Sequence, residues 1–114
     1  MPARYVRVIA VSTIDNPDTA PLHIDVGLTA EGMIVGDRAI FGFQGDIKNR
    51  YGRSLPFILY SDGKADFGEK YPDGDRFGEL NLREDRVYLR RLLRFSGNGF
   101  DEIFRIVDIV DIEG

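Results

Sequence analysis

The residues with the clearest potential for chemistry are two arginines near the end of the chain, Arg91 and Arg105. They lie in two β-rich runs, 86–95 and 103–112, and the Asn98-Gly99 pair between these runs is a strong hairpin signal. A hairpin over this segment would be the central element of a small β domain.

The register of this hairpin decides what the arginines face. A three-residue loop, 97–99, pairs Ser96 with Phe100, and it collects apolar pairs such as Leu93 with Ile103 on one face. In this register Arg91 lies opposite Arg105 on the same apolar face. Two like charges across a strand pair are unfavourable unless an anion lies between them. The pattern therefore predicts either a carboxylate or phosphate site at Arg91 and Arg105, or a β-bulge or nearby acid that neutralises the pair.

A second candidate is the only histidine, His23, two residues before Asp25. A histidine oriented by a carboxylate is a component of acid–base sites. The chain has no cysteine, and no serine stands in a nucleophile-elbow context. We therefore expect a solvated surface pair, and we predict no catalytic residue.

The segment 61–75 is rich in carboxylates, which are the ligands that Ca²⁺ prefers. Its spacing from Asp62 to Asp66 does not match the calcium-binding loop of EF-hands, and no glutamate stands at the required distance. We expect a solvated turn and predict no metal site and no cofactor.

Composition limits the partners. The net charge is −4, which counts against a general nucleic-acid binder, since such proteins need a clustered basic face. Arg86, Tyr88, Arg90 and Arg94 share one strand parity, but acids stand close by, so nucleic acid is an unlikely partner on sequence grounds. No apolar run is long enough to span a membrane and no secretory signal is visible. The expected location is the cytoplasm.

The elements that would carry these residues are short strands. With 114 residues and 43% hydrophobic residues, the chain is predicted to form one globular domain, 1–114. The cleanest strand is 22–29, where Leu22, Ile24, Val26 and Leu28 alternate with polar residues or glycine. About seven such strands with turn residues between them predict an all-β antiparallel barrel or sandwich.

One alternative remains open at this level. Asn81 and Glu84 have capping-box spacing, arginines follow near position 94, and Gly97 could end a helix. Residues 82–96 could therefore be helical, which would make the fold α+β. Val87 and the Asn98-Gly99 turn favour a strand instead.

Several strands are apolar on both parities, which supplies more apolar surface than one core requires. We therefore expect a non-enzymatic binding or assembly module that acts through a sheet face or edge, as a homodimer or another homo-oligomer, or with another protein. The alternative function is a small barrel that binds an anionic small molecule through inward Arg91 and Arg105.

Overall fold

Eight antiparallel strands form a closed barrel in which each strand pairs with its neighbour along the chain and the first pairs with the last. The computed structural model describes residues 4–14, 20–36, 39–45, 55–69, 73–97 and 100–112. The all-β antiparallel barrel expected from the sequence is confirmed, with eight strands where about seven were predicted. The strands are β1 (Arg4–Ser12), β2 (Leu22–Leu28), β3 (Ile40–Gln44), β4 (Leu55–Leu59), β5 (Lys64–Asp66), β6 (Phe77–Leu80), β7 (Leu92–Gly97) and β8 (Phe100–Asp111).

Side-chain alternation places one parity of each strand in the barrel interior. In β2 the four apolar residues predicted to point inward are all buried, and in β1 Val6, Val8 and Ala10 are fully buried. The pairing of these two strands begins with Arg4 opposite Leu28 and ends with Ala10 opposite Leu22. The buried apolar residues of β1 therefore lie beside those of β2. The alternation visible in the sequence therefore specifies this part of the wall directly.

Phenylalanine rings fill one half of the interior. Phe95 is at the centre of the cluster, with its ring centroid 5.3 Å from that of Phe57 and 5.2 Å from that of Phe100. Gly42 and Gly78 make room for these rings, because a Cβ at Gly42 would lie 2.7 Å from Phe57. The barrel interior at this level is packed with side chains and is not a ligand chamber.

One end of the barrel is covered by the segments 29–36 and 81–91. Leu82 and Val87 are buried there, and the Val87 amide donates to the Gly32 carbonyl at 2.8 Å. The predicted alternative helix over 82–96 does not form. A single 3-10 turn, Asn81–Glu84, is followed by irregular chain and then by β7, because Leu93 and Phe95 are needed at strand spacing to fill the core.

The predicted three-residue hairpin loop is wrong. Gly97 pairs with Phe100 and Ser96 with Asp101, so only Asn98 and Gly99, which lie outside the described residues, separate the two strands. This register turns Phe95 and Phe104 inward, and it uses the missing side chain of Gly97 to accommodate the Phe100 ring. Packing of the aromatic core therefore overrides the apolar pairing that the sequence pattern favoured.

The pairing between β1 and β8 shifts register once. Ile9 pairs with Asp108 whereas Ala10 pairs with Ile106, so β8 contains one extra residue, Val107, at this point. Such a β-bulge changes which residues point outward on either side of it. No helix in the described part of the chain is both long and apolar enough for a membrane span.

Candidate functional site

Arg91 is a buried residue that holds the covering segment together. Its side chain is 5% exposed, and its guanidinium donates to four backbone carbonyl oxygens. Nη1 lies 2.8 Å from the Leu82 oxygen and 3.0 Å from those of Asp85 and Arg86, and Nη2 lies 2.7 Å from the Asn81 oxygen. Two of these carbonyls belong to the 3-10 turn and two to the residues that follow it, so one side chain joins both parts of the covering segment.

The electrostatic environment of Arg91 agrees with a structural role. Burial lowers the pKa of the guanidinium, while the nearby negative charges of Asp85 and Glu84 act in the opposite direction. An arginine can satisfy several carbonyls at once because its donors form a fixed fork. With its donors directed at the chain itself, Arg91 has little capacity to bind an anion.

The structure does not bring Arg91 and Arg105 together. Arg91 precedes β7, and its backbone carbonyl accepts a hydrogen bond from the Ile106 amide at 2.9 Å. Arg105 instead pairs with Leu92 and points outward. Arg105 is exposed to solvent. The opposition of the two arginines predicted from the sequence is wrong, because it depended on the three-residue hairpin loop.

His23 and Asp25 both point to the outer side of β2, but they do not form a pair. The His23 ring is almost covered and stacks on Phe43, with centroids 4.6 Å apart and an interplanar angle of 10°, while Nε2 lies 3.1 Å from the Gly45 oxygen. Asp25 instead accepts two hydrogen bonds from Arg7, at 2.8 and 3.0 Å. The expected solvated surface pair is therefore wrong for His23, which packs as part of the wall.

Asp66 is the one acidic residue of the predicted solvated turn that is buried, among those whose side chains the structure describes. Its carboxylate accepts from Arg76 at 2.9 and 3.2 Å and from the Gly68 amide at 2.9 Å. The Arg76 hydrogen bonds hold the pKa of Asp66 below its usual value. This ion pair ties the short helical turn α1 (Asp73–Arg76) to the barrel, so Asp66 has a structural role.

A polar cleft of about 450 Å³ opens on the outer side of β6 and β7. Its carboxylates, Asp62, Glu79 and Glu84, are all exposed, whereas acid–base catalysis requires carboxylates in distinct, shielded environments. Arg94, also in the cleft, is paired with Asp101 at 2.6 Å. No three His, Asp or Glu residues within the described ranges are grouped so that they could hold a metal ion. The cleft therefore has no feature that assigns it a reaction.

The most distinctive surface is an apolar strip on the outside of β7, β8 and β1, which we call the β8 face. Its members are large apolar side chains between 37% and 52% exposed. Cross-strand pairing makes them neighbours: Leu92, Arg105 and Val11 form one row, and Ile103 lies in the next row opposite Arg94. The β8 face comprises Val11, Leu92, Ile103, Val107 and Val110.

Sequence reasoning predicted that a second apolar surface exists, but not its position. The signal in the sequence is that 103–110 has apolar residues on both strand parities. The predicted register places Ile103 beside Leu93 on the apolar face, whereas Ile103 pairs with Arg94 and is exposed. No known protein family, no curated protein and no solved structure matches this chain.

Proposed function

We propose that this protein is a non-enzymatic assembly module that associates with a second copy of itself through the β8 face. The observation that carries the proposal is the concentration of exposed apolar side chains around Arg105 on three paired strands. Contiguous apolar patches rimmed by polar residues mark interaction surfaces more often than isolated exposed residues do.

Because the barrel is closed, we expect a partner to bind a sheet face and not a strand edge. β1 and β8, the first and last strands, pair over seven residue positions, so their hydrogen-bonding groups are used within the wall. Addition of a partner strand requires an unpaired edge. A partner would therefore meet outward side chains, and the β8 face presents five large apolar ones on three neighbouring strands.

The exposed apolar residues on the other side of the barrel are less suited to association. Phe77 lies beneath two cations, with Lys64 Nζ 5.2 Å and Arg76 Cζ 5.0 Å from its ring centroid. Ile58 pairs with the exposed Phe41 on one side and with Asp66, which is engaged in the Arg76 ion pair, on the other. This ion pair separates Phe77 from Phe41 and Ile58, and charges in such a position discourage tight apolar contact across the row.

The dimensions of the β8 face set the expected affinity. Eight residues of β8 at about 3.3 Å each and three strands at about 4.8 Å enclose about 380 Å² on each subunit. Typical specific interfaces bury about 800 Å² on each partner. We therefore expect a dimer with a dissociation constant in the micromolar range, about 10 µM, rather than an obligate one.

A matched pair of substitutions tests the proposal. Ile103 and Ile58 are 37% and 40% exposed, and they lie on strands four positions apart around the barrel. Ile103→Asp should convert the protein to a monomer in light scattering, and Ile58→Asp should leave the dimer unchanged. Equal effects of the two substitutions would refute the assignment of the interface to the β8 face.

A further inference from the structure

The β8 face carries a charged residue at its centre. Arg105 lies between Leu92 on β7 and Val11 on β1, so its cross-strand neighbours are both apolar. Among the described residues Arg105 forms no ion pair. A guanidinium in the middle of an apolar strip is unfavourable for burial unless a counter-charge meets it.

An uncompensated acid lies on the same strand. Asp108 is exposed and points outward beside Ile9 of β1. Its Oδ1 accepts a hydrogen bond from the amide of the next residue, Ile109, at 2.9 Å, and within the described ranges no basic side chain pairs with it. Arg105 and Asp108 are therefore opposite charges on one face.

The β-bulge at Val107 creates this arrangement. Residues three apart on a regular strand point to opposite faces, so Arg105 and Asp108 would normally lie on different sides of the wall. Val107 is the extra residue between the Ile9–Asp108 and Ala10–Ile106 pairs, and it puts Arg105 and Asp108 on the same side. The spacing of the two charges along β8 is then about 10 Å.

Two outward arginines on the strands that flank β8 already have partners. Arg94 pairs with Asp101 at 2.6 Å, and Arg7 pairs with Asp25 at 2.8 Å. The charges available to a partner on β8 are thus concentrated in Arg105 and Asp108, one of each sign.

We infer that the β8 face is self-complementary and that two copies of the chain meet with their β8 strands antiparallel about a two-fold axis near Ile106 and Val107. Arg105 then faces the partner subunit's Asp108, and Asp108 faces the partner subunit's Arg105. In an isologous contact, residue i of each subunit meets residue j of the other. Arg105 and Asp108 satisfy this condition because they lie on either side of the two-fold axis. This inference rests on the proposed function and adds its symmetry, its register and its polar contacts.

A charge-exchange experiment on the full chain tests the inference. Arg105→Asp alone places two acids at each contact and Asp108→Arg alone places two arginines, so each should raise the dimer dissociation constant about tenfold or more. The double variant Arg105→Asp/Asp108→Arg restores opposite charges and should return the dissociation constant to within about threefold of the original. Sedimentation equilibrium gives these constants, and thermal unfolding checks that each variant is folded.

Asp108→Asn is the matched control, because it keeps a side-chain oxygen for the Ile109 amide and removes only the charge. It should weaken the dimer less than Asp108→Arg does. Higher salt should weaken the original dimer, since salt screens the attraction between the paired charges of a small contact.

The outcomes separate the two claims. A dimer that resists both single reversals, or a double variant no better than the singles, overturns the Arg105–Asp108 register while the β8 face remains the interface. A protein that is monomeric before any substitution overturns the proposed function itself. If the chain is monomeric alone but binds a different protein through Ile103, the partner is not a second copy and the two-fold arrangement is refuted.

Discussion

Arg91 and Arg105 belong to the same hairpin and lie on opposite sides of the barrel wall. The Arg91 guanidinium is buried and donates to four backbone carbonyls, whereas the Arg105 side chain is exposed among apolar neighbours. One arginine therefore stabilises the covering segment 81–91, and the other is available to a partner. The same residue type has two separate roles within one supersecondary unit.

Replacement of Arg91 should be among the most damaging single substitutions in the chain. Arg91→Met keeps much of the side-chain volume but leaves the carbonyls of Asn81, Leu82, Asp85 and Arg86 without their donor. We expect the free energy of unfolding in urea to fall by about 3 kcal/mol. Arg105→Met, measured at a concentration where the protein is monomeric, should change it by less than about 0.5 kcal/mol. Similar losses for both variants would contradict the structural role of Arg91.

Asp66 should make stability depend on acid. Its pKa is lowered by the Arg76 hydrogen bonds, so the stabilisation is fully present above the unfolded value of about 3.9 and is lost as the pH falls through the folded pKa. Asp66→Asn should reduce stability at pH 7 by about 1–3 kcal/mol and flatten the loss of stability below about pH 4. Denaturant unfolding at a series of pH values measures both effects.

Asp101→Asn is the control for this acid dependence. Arg94 also lowers the pKa of Asp101, but both side chains of that pair are largely exposed. Water and salt screen such a pair, so its removal should have a much smaller effect at pH 7. A pH profile changed equally by the two substitutions would show that the Asp66–Arg76 pair is not distinctive.

The sequence predicts the parts of the fold that depend on residues close together along the chain. The inward row of β2, Leu22 to Leu28, follows from alternation alone, and so does the all-β class. The hairpin register does not, because 103–110 is apolar on both parities and two registers fit it about equally well by pattern. The contact that decides the register is that of the Phe100 ring with Gly97. It depends on the space left by the missing Gly97 side chain, which a pattern of polar and apolar residues does not show.

The role of Arg91 was also beyond local reasoning. The carbonyls that accept its hydrogen bonds belong to residues 81–86, which lie at the start of the alternative helix 82–96 and mostly before the predicted strand run 86–95. In the helix these carbonyls would be paired within the element itself. Only the irregular segment after the 3-10 turn leaves them free for a side chain.

Glu102 offers a stabilising substitution. It faces inward opposite the buried Phe95, and its Oε2 is shielded from solvent with no hydrogen-bond partner in the described part of the chain. Glu102→Leu should raise the free energy of unfolding by about 1 kcal/mol, because a carboxylate oxygen is no longer buried without a partner. Glu79→Leu, at an exposed position on β6, should bring no such gain. A loss of stability for Glu102→Leu would mean that the carboxylate has a favourable contact.

Gly78 should tolerate no side chain. A Cβ at this position would lie 2.6 Å from the Ser96 carbonyl oxygen, which belongs to the paired strand β7. Gly78→Ala should therefore lower stability by about 2–3 kcal/mol, since relief requires β6 and β7 to separate. At Gly42 the nearest backbone atom to a Cβ is the His23 carbonyl oxygen at 3.2 Å, and the closer atoms belong to the Phe57 ring, so Gly42→Ala should cost less than Gly78→Ala. The difference between the melting temperatures of the two variants measures this contrast.

The central claim is self-association through the β8 face, and the mass of the unmodified protein in solution tests it most directly. Light scattering coupled to size-exclusion chromatography should give a mass that rises with loading concentration from the 12.9 kDa of one chain toward twice that value. The transition should fall in the micromolar range, about 10 µM. A mass that stays at that of one chain up to several hundred micromolar would contradict the claim.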